Sequence, residues 1–185
     1  MIWNLVSVDE VRLLDLSDQF LAFSQAYLDS AIHLCSMLVN DNSKTTYERG
    51  AVVMVLALQA TELFLKGAIL KKDRTSSLSS RHEIEPLFNR YKKLYPAMKY
   101  SINVLFHTEE PDLTGVDPEI IKQYKAEKDK YEKKYPEHQR YRYPVNNELE
   151  PFGGSAGFEA NLFLIDLKKF KEEVIAITAE FELNI

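Results

Sequence analysis

The polar residues of one apolar stretch, residues 51–70, are the first candidates for chemistry. Gln59, Glu62 and Lys66 are spaced so that they share one face of an α-helix. Glu62 stands four residues before Lys66, the favoured order for a helical ion pair. The pair is either exposed, where it contributes about 0.3–0.5 kcal/mol, or lies in a polar pocket of a helical bundle. Because the other faces of this helix are apolar, we expect at least partial burial, beside His82.

His82 is the histidine that could work together with this polar face. It follows a polar loop over residues 73–80 and precedes a helix start marked by Pro86. As a proton-transfer group it needs a partner within reach, and Glu62 or Lys66 is the obvious one. The alternative is a structural role, in which a neutral imidazole is hydrogen-bonded to the end of the preceding helix.

The sequence carries no pattern that holds a metal or a cofactor. His33, His107 and His138 have no ligand spacing with acids or with each other. There is no P-loop, no GxGxxG, no GxSxG and no HExxH motif. We therefore expect no metal site and no cofactor.

A second candidate site is basic and aromatic, and it spans residues 133–143, KKYPEHQRYRY. Basic side chains bind phosphates and tyrosines stack on bases, so this composition is typical of sites for single-stranded nucleic acid. The alternative is a solvated loop whose tyrosines cover the bundle. The basic residues and the tyrosines that interleave with them are Lys133, Lys134, Arg140 and Arg142, with Tyr135, Tyr141 and Tyr143.

Helices must position both candidate sites, because the apolar spacing predicts an all-α bundle. Capping-box patterns, Ser7 with Glu10 and Thr45 with Glu48, open the first two helices. A short turn joins these two long helices, so they must be antiparallel neighbours. The last helix carries apolar residues from Phe163 to Phe181 at the spacing of a bundle seam. The predicted core helices span residues 8–39 (kinked near Ser17), 45–72, 86–94 and 159–181.

The middle of the chain, residues 107–158, is predicted to be an insertion on the bundle. The sequence Asp117-Pro118-Glu119 is a strong helix start. The helix that it opens, to about Lys134, is rich in lysines and acids, which predicts a solvated protrusion. Residues 135–150 contain two prolines and are predicted to form an extended loop, with a short strand as an alternative. Before the insertion, residues 98–106 are predicted to be helical.

Charge and length bound the class of protein. A chain of 185 residues predicts a single domain, residues 1–185, with a full core. The formal net charge of −5 gives no overall attraction to nucleic acid. The net negative charge lies at the two ends, since residues 1–40 hold five acids and one base, and residues 159–185 hold six acids and three bases, which leaves a net charge of +2 in the middle. A polyanion would therefore bind the middle of the chain.

Compartment and membrane insertion can also be judged from composition. Cys35 is the only cysteine, which excludes an intrachain disulfide and fits a reducing cytosol. Residues 1–10 show no signal-peptide pattern. Residues 51–70 are long enough to cross a membrane, but Glu62 and Lys66 would each cost about 2.5–3.5 kcal/mol near the bilayer centre. We therefore expect a buried core helix in a cytoplasmic protein with no membrane contact.

With these features in place, the chain resembles the HEPN superfamily of helical bundles. The resemblance rests on ALQATELFLKGAIL (57–70), SRHEIEPLFNRY (80–91) and RYRYP (140–144), and covers residues 10–106 and 140–181. It implies an antiparallel bundle of four or five helices that is usually a homodimer. Such bundles occur in RNA cleavage, toxin–antitoxin and phage-defence systems.

The resemblance also bears on activity. Ribonuclease members of the family carry an arginine followed four to six residues later by a histidine, whereas no histidine follows Arg140 or Arg142 in this chain. The resemblance then implies a non-catalytic homodimer that binds RNA, a nucleotide or a protein partner such as a nucleotidyltransferase antitoxin. The alternative is a divergent, metal-independent endoribonuclease that uses His82, Glu62 and one of the two arginines.

Overall fold

The computed structural model describes residues 7–75, 83–107, 111–146, 148–152 and 157–183. Within these ranges the regular structure is helical, apart from one isolated antiparallel bridge between Val145 and Pro151. The predicted all-α class is therefore confirmed. The α-helices are α1 (Asp9–Arg12), α2 (Leu16–Asn40), α3 (Tyr47–Lys72), α4 (Ile84–Leu94), α5 (Pro118–Lys134), α6 (Glu137–Arg140) and α7 (Ala160–Glu182).

Helix α3 lies at the centre and packs against α2, α4 and α7. Its contact with α2 is close, because a Cβ on Gly67 would come within 2.9 Å of Leu21 and 3.0 Å of the Ser17 carbonyl oxygen. The buried Ser24 hydroxyl of α2 also donates to the Ala60 carbonyl at 2.7 Å. The two long helices are therefore the antiparallel neighbours that the short turn predicts.

The seam of α7 completes the core. Phe170 lies edge-on to Phe64 of α3, with ring centroids 6.0 Å apart and an interplanar angle of 83°. Phe163, the first residue of the predicted seam, is half-buried. The seam spacing read from the sequence is thus confirmed. The buried seam residues are Leu167, Phe170, Val174, Ile177 and Phe181.

The prediction of a helix over residues 98–106 is wrong. Only a single 3₁₀ turn forms, at Met98–Tyr100. Beyond it Ile102 is buried and its neighbour Asn103 is exposed, the alternation of an extended chain. The Glu173 carboxylate of α7 holds this segment, because it accepts from both the backbone N–H and the side-chain amide of Asn103 at 2.8 Å. That long-range contact replaces the helical hydrogen bond.

The ends of the first helices also differ from the predictions. The helix predicted over residues 8–39 is broken between Arg12 and Leu16, so α1 and α2 are separate. At the start of α3, the residue before the helix is Thr46, one position later than the capping-box pattern places it. The Thr45 hydroxyl instead donates to the Leu38 carbonyl at 3.1 Å and ties the turn to the end of α2.

Helix α5 begins as predicted and is exposed along its whole length. The Asp117 carboxylate accepts from the Glu119 N–H at 2.8 Å, and Pro118 occupies the first helical position. None of its residues is buried, which confirms the predicted solvated protrusion. The segment after it, predicted to be an extended loop, contains the short helix α6 at Glu137–Arg140 and then the bridge.

By length and composition alone, α3 could cross a membrane. However, 72% of its most apolar 18-residue window is buried inside the protein. A core helix of a globular bundle has this property, because its apolar faces are covered by protein. The prediction of a buried core helix is therefore confirmed.

Cys35 gives a first test of the packing. It is fully buried, and its thiol contacts the Ala160 carbonyl oxygen at 3.4 Å. Desolvation, with a smaller contribution from the Glu159 carboxylate, raises its pKa to about 11. Because only the thiolate is nucleophilic, we expect iodoacetamide at pH 8 to modify the native protein about two orders of magnitude more slowly than the denatured protein. Comparable rates in the two states would show that this part of the core is open.

Candidate functional site

The Glu62–Lys66 ion pair is buried. Glu62 is 2% exposed and Lys66 is 8% exposed, and the Lys66 Nζ lies 2.5 Å from the Glu62 Oε1. The expected burial is therefore confirmed, and the alternative of an exposed pair is excluded. Taking both charges out of water is costly, and their mutual attraction offsets part of that cost. His82 lies outside the described residues, and its position beside the pair remains a prediction.

Gln59, the first residue of the same polar face, is half-buried and contacts the distant basic segment. The Arg142 guanidinium donates to the Gln59 Oε1 at 3.0 Å. The structure thus joins two candidate residues that are 83 positions apart in the chain. Arg142 itself is exposed. Its contact fastens the end of the basic segment to the central helix.

Arg140 faces a different helix. Its guanidinium lies over the Tyr131 ring of α5, 5.5 Å from the centroid, and donates to the Tyr131 hydroxyl at 2.9 Å. Its Nε is buried without a hydrogen-bond partner in the part of the chain that the structure describes. The two arginines of the candidate catalytic set therefore contact different helices, Arg140 on α5 and Arg142 on α3. Their side chains do not converge on one partner.

An open groove of about 660 Å³ runs along the C-terminal half of α5. Its other wall is a tight turn built on the buried Asn146, whose side-chain oxygen accepts from the N–H groups of Glu148 and Glu150 at 2.9 and 3.0 Å. Lys134 and Glu150 form an ion pair at 3.3 Å, which ties this turn to α5. The lining residues are Ala126, Asp129, Lys130, Lys133, Lys134, Asn146 and Glu148.

The lysines of this groove differ in how they are paired. Hydrogen bonding to Tyr135 and then to Glu150 raises the pKa of Lys134, so this side chain is already engaged and stays protonated. Lys130 and Lys133, in contrast, have no ion-pair partner among the described residues. They are the cations in this groove that remain available to an anion.

The lysines of this groove lie near the Tyr131 ring and the Arg140 guanidinium over it. We call this set of residues the α5 surface, and define it as Lys130, Tyr131, Lys133, Lys134 and Arg140. Only Lys133, Lys134 and Arg140 were candidates from the sequence. Lys130 and Tyr131 lie outside the predicted basic segment, although helical spacing links them to it: Lys130 stands three residues before Lys133, and Tyr131 four residues before Tyr135. That spacing is the signal that could have found them.

The tyrosines of the basic segment divide between the two alternatives. Tyr141 is half-buried, and its ring centroid lies 6.3 Å from that of Phe106, so this tyrosine covers the bundle. Tyr143 is 58% exposed and available for stacking. Tyr135 is half-buried between Tyr131 and Phe152, with centroids 5.1 and 6.1 Å away. One segment therefore serves both packing and an exposed surface.

Comparison with known proteins adds no relative: no family model, no curated protein and no solved structure matches the chain. The resemblance to HEPN bundles therefore remains a prediction. Within the described residues, no group of three His, Cys, Asp or Glu side chains could hold a metal ion. What the geometry offers is a surface with cations and exposed rings.

Proposed function

We propose that this chain is a non-catalytic module that binds single-stranded RNA through the α5 surface. The observation that carries the proposal is a pair of lysines, Lys130 and Lys133, that have no ion-pair partner in the described part of the chain and lie beside the exposed ring of Tyr131. Cations engage phosphates, and a ring that faces solvent offers a stacking platform for a base. The Arg140 guanidinium, held over the same ring, adds a third positive charge.

The exposed position of α5 favours this ligand over a folded protein partner. The helix has no buried residue, and the groove beside it is open and lined by charged side chains, among them three lysines. Interfaces between proteins usually have a dry core with few charges, whereas single-stranded nucleic acid needs a charged track with rings. The overall charge of −5 is no obstacle, since the net negative charge lies at the chain ends and residues 41–158 hold 19 bases and 17 acids.

A binding role also fits the condition of the candidate catalytic residues. Cleavage of RNA without a metal needs a base, an acid and a cation that reach the same phosphate. Glu62 is 2% exposed and paired with Lys66, so it is poorly placed to take a proton from a bound strand. Arg140 and Arg142 contact different helices. The alternative endoribonuclease is therefore the weaker hypothesis.

The test is fluorescence anisotropy with a labelled oligouridylate at a series of salt concentrations. Each phosphate contact on a single strand contributes about 0.7 to the slope of log K against log salt. The double variant Lys130→Gln/Lys133→Gln is therefore expected to bind more weakly and to lose about 1.4 from that slope. The same RNA, run on a denaturing gel after incubation, is expected to remain intact.

The matched control removes two lysines from another surface. Lys92 and Lys93 are exposed on α4, and Lys92→Gln/Lys93→Gln makes the same change in net charge. This control is expected to leave affinity and slope nearly unchanged. Equal losses in the two double variants would mean non-specific attraction, and cleavage of the RNA would favour the endoribonuclease.

The homodimer implied by the resemblance is a separate proposal. Much of the apolar surface that favoured a dimer is already buried within one chain, since the α7 seam packs on the core. An outer apolar strip remains at the start of the same helix, where Leu162 and Ile165, three residues apart, are exposed. We expect sedimentation at micromolar concentration to show a species of twice 21.4 kDa. A single species with the mass of one chain would contradict the homodimer. Loss of the dimer in the Ile165→Glu variant would support it.

A further inference from the structure

We infer that a second cavity, between the start of α3 and Tyr141, receives one unpaired base of the bound strand. This inference rests on the proposed function, because the strand that supplies the base is the one held on the α5 surface. The cavity has a volume of about 150 Å³. A cavity of that volume accommodates a single benzene-sized ring, and a pyrimidine ring is of similar size. We call it the base pocket.

The walls of the base pocket have the chemistry that an aromatic ring needs. Apolar and aromatic groups line most of it, and hydroxyl groups supply hydrogen-bonding capacity along the rest, as in most sites for small planar ligands. Tyr47, one of the lining residues, is 54% exposed, so the pocket can be reached from solvent on that side. The lining residues are Leu38, Thr45, Thr46, Tyr47, Gly50, Ala51, Met54, Tyr141, Gly157, Phe158 and Ala160.

The two aromatic walls are held in place by a chain of ring contacts. Tyr141 packs on Phe106 at 6.3 Å, Phe106 on Phe163 at 6.3 Å, and Phe163 on Phe158 at 4.9 Å. Gly50 lets Phe158 approach α3, because a Cβ at that position would lie 3.0 Å from the Phe158 ring. The pocket is therefore preformed, and a base that enters it meets rings that are already oriented.

Chain continuity connects the base pocket to the α5 surface. Tyr141 lines the pocket. The residue before it, Arg140, lies over the Tyr131 ring of α5. The residue after it, Arg142, is exposed and donates to Gln59 of α3. A nucleotide whose base stacks against Tyr141 thus has a cation on either side for its phosphates. Arg140 and Arg142 contact different helices, but both can bind phosphates of the one nucleotide whose base lies against Tyr141.

The test separates the pocket from the surface by using two strands of equal charge. One is an eight-nucleotide oligouridylate, and the other is an eight-unit tetrahydrofuran-spacer strand, which keeps the phosphates and lacks the bases. Ala51→Leu fills the pocket, and is expected to weaken binding of the oligouridylate about tenfold. The affinity of the Ala51→Leu variant for the spacer strand should not change, and neither should the slope of log K against log salt. Lys130→Gln/Lys133→Gln should weaken both strands.

Photocrosslinking supplies a second readout. An oligouridylate with one 4-thiouridine is expected to crosslink to Tyr47, Tyr141 or Phe158, with the crosslink lost in Ala51→Leu. Gly50→Ala, whose new Cβ pushes on Phe158, serves as an independent variant. Circular dichroism melting checks that Ala51→Leu and Gly50→Ala remain folded. If one of them does not fold, the binding and crosslinking measurements use the other.

Each outcome decides a different point. If the wild-type protein binds neither strand, the proposed function is wrong. If it binds the oligouridylate but neither pocket variant weakens binding and crosslinks form elsewhere, the pocket inference is wrong and the surface remains. A third outcome is that free uridine, titrated alone, binds in the pocket and that Ala51→Leu abolishes this binding without affecting strand binding. The pocket would then serve a free nucleoside, which also overturns the inference.

Discussion

Replacing Glu62 by alanine is expected to destabilise the protein by about 3–5 kcal/mol, because it leaves the Lys66 ammonium buried without its counter-charge. The ion pair is almost inaccessible to water, with 2% and 8% of the two residues exposed, and its Nζ–Oε1 distance is 2.5 Å. Solvent therefore cannot take over the role of the lost carboxylate. Urea unfolding followed by circular dichroism measures the change in the free energy of unfolding.

The control is an exposed pair of the same helical spacing. Lys128 and Glu132 on α5 are 3.8 Å apart, and the Glu132 side chain is 61% exposed. Glu132→Ala is expected to change stability by less than about 1 kcal/mol, since water solvates the remaining lysine. A similarly small loss in Glu62→Ala would mean that the lysine finds water, and that the buried arrangement is wrong.

A double variant distinguishes the cost of an orphaned charge from a contribution of the pair itself. Glu62→Leu/Lys66→Met removes both charges and keeps apolar bulk at both positions. Because replacing a buried pair by apolar residues is often neutral or better, this variant is expected to be more stable than Glu62→Ala alone. If it is less stable, the polar contacts around Glu62 contribute more than the charges cost.

The second large effect is expected at the α7 seam, where Phe170→Ala should cost about 3–5 kcal/mol. Phe170 is fully buried and packs edge-on against Phe64, which in turn lies 5.9 Å from the ring of Tyr91. Loss of the ring removes apolar burial and leaves a cavity that the surrounding rings cannot fill without moving. Thermal and urea unfolding both report the loss.

Leu162→Ala on the same helix is the matched control. Leu162 is 64% exposed, so its truncation removes little buried surface and should change stability by less than about 0.5 kcal/mol in the isolated chain. Equal effects at the two positions would mean that α7 is rotated relative to the core. A larger loss at Leu162 that depends on protein concentration would instead place this outer strip in a dimer interface.

Local patterning was sufficient for the long helices α3, α5 and α7 and for the burial of the central pair. The periods of 3.6 and 3.5 residues in apolar spacing depend only on near neighbours, so the limits of α3 and α7 and the α7 seam could be predicted. The stretch around Glu62 and Lys66 is apolar on nearly every side, which already favoured a central helix. The Asp117 cap of α5 is equally local, because its acceptor and donor are two residues apart.

The assembly of the site depended on contacts between residues far apart in the chain. No local rule pairs Arg142 with Gln59 across 83 positions, turns Arg140 towards Tyr131, or lets Glu173 hold residues 101–105 in an extended path. Such contacts depend on how the loops route the chain and on which partners are left after the core has packed. The sequence by itself therefore determined where the long helices α3, α5 and α7 form and which residues are basic or aromatic, while the tertiary structure decided which of those residues face a common groove.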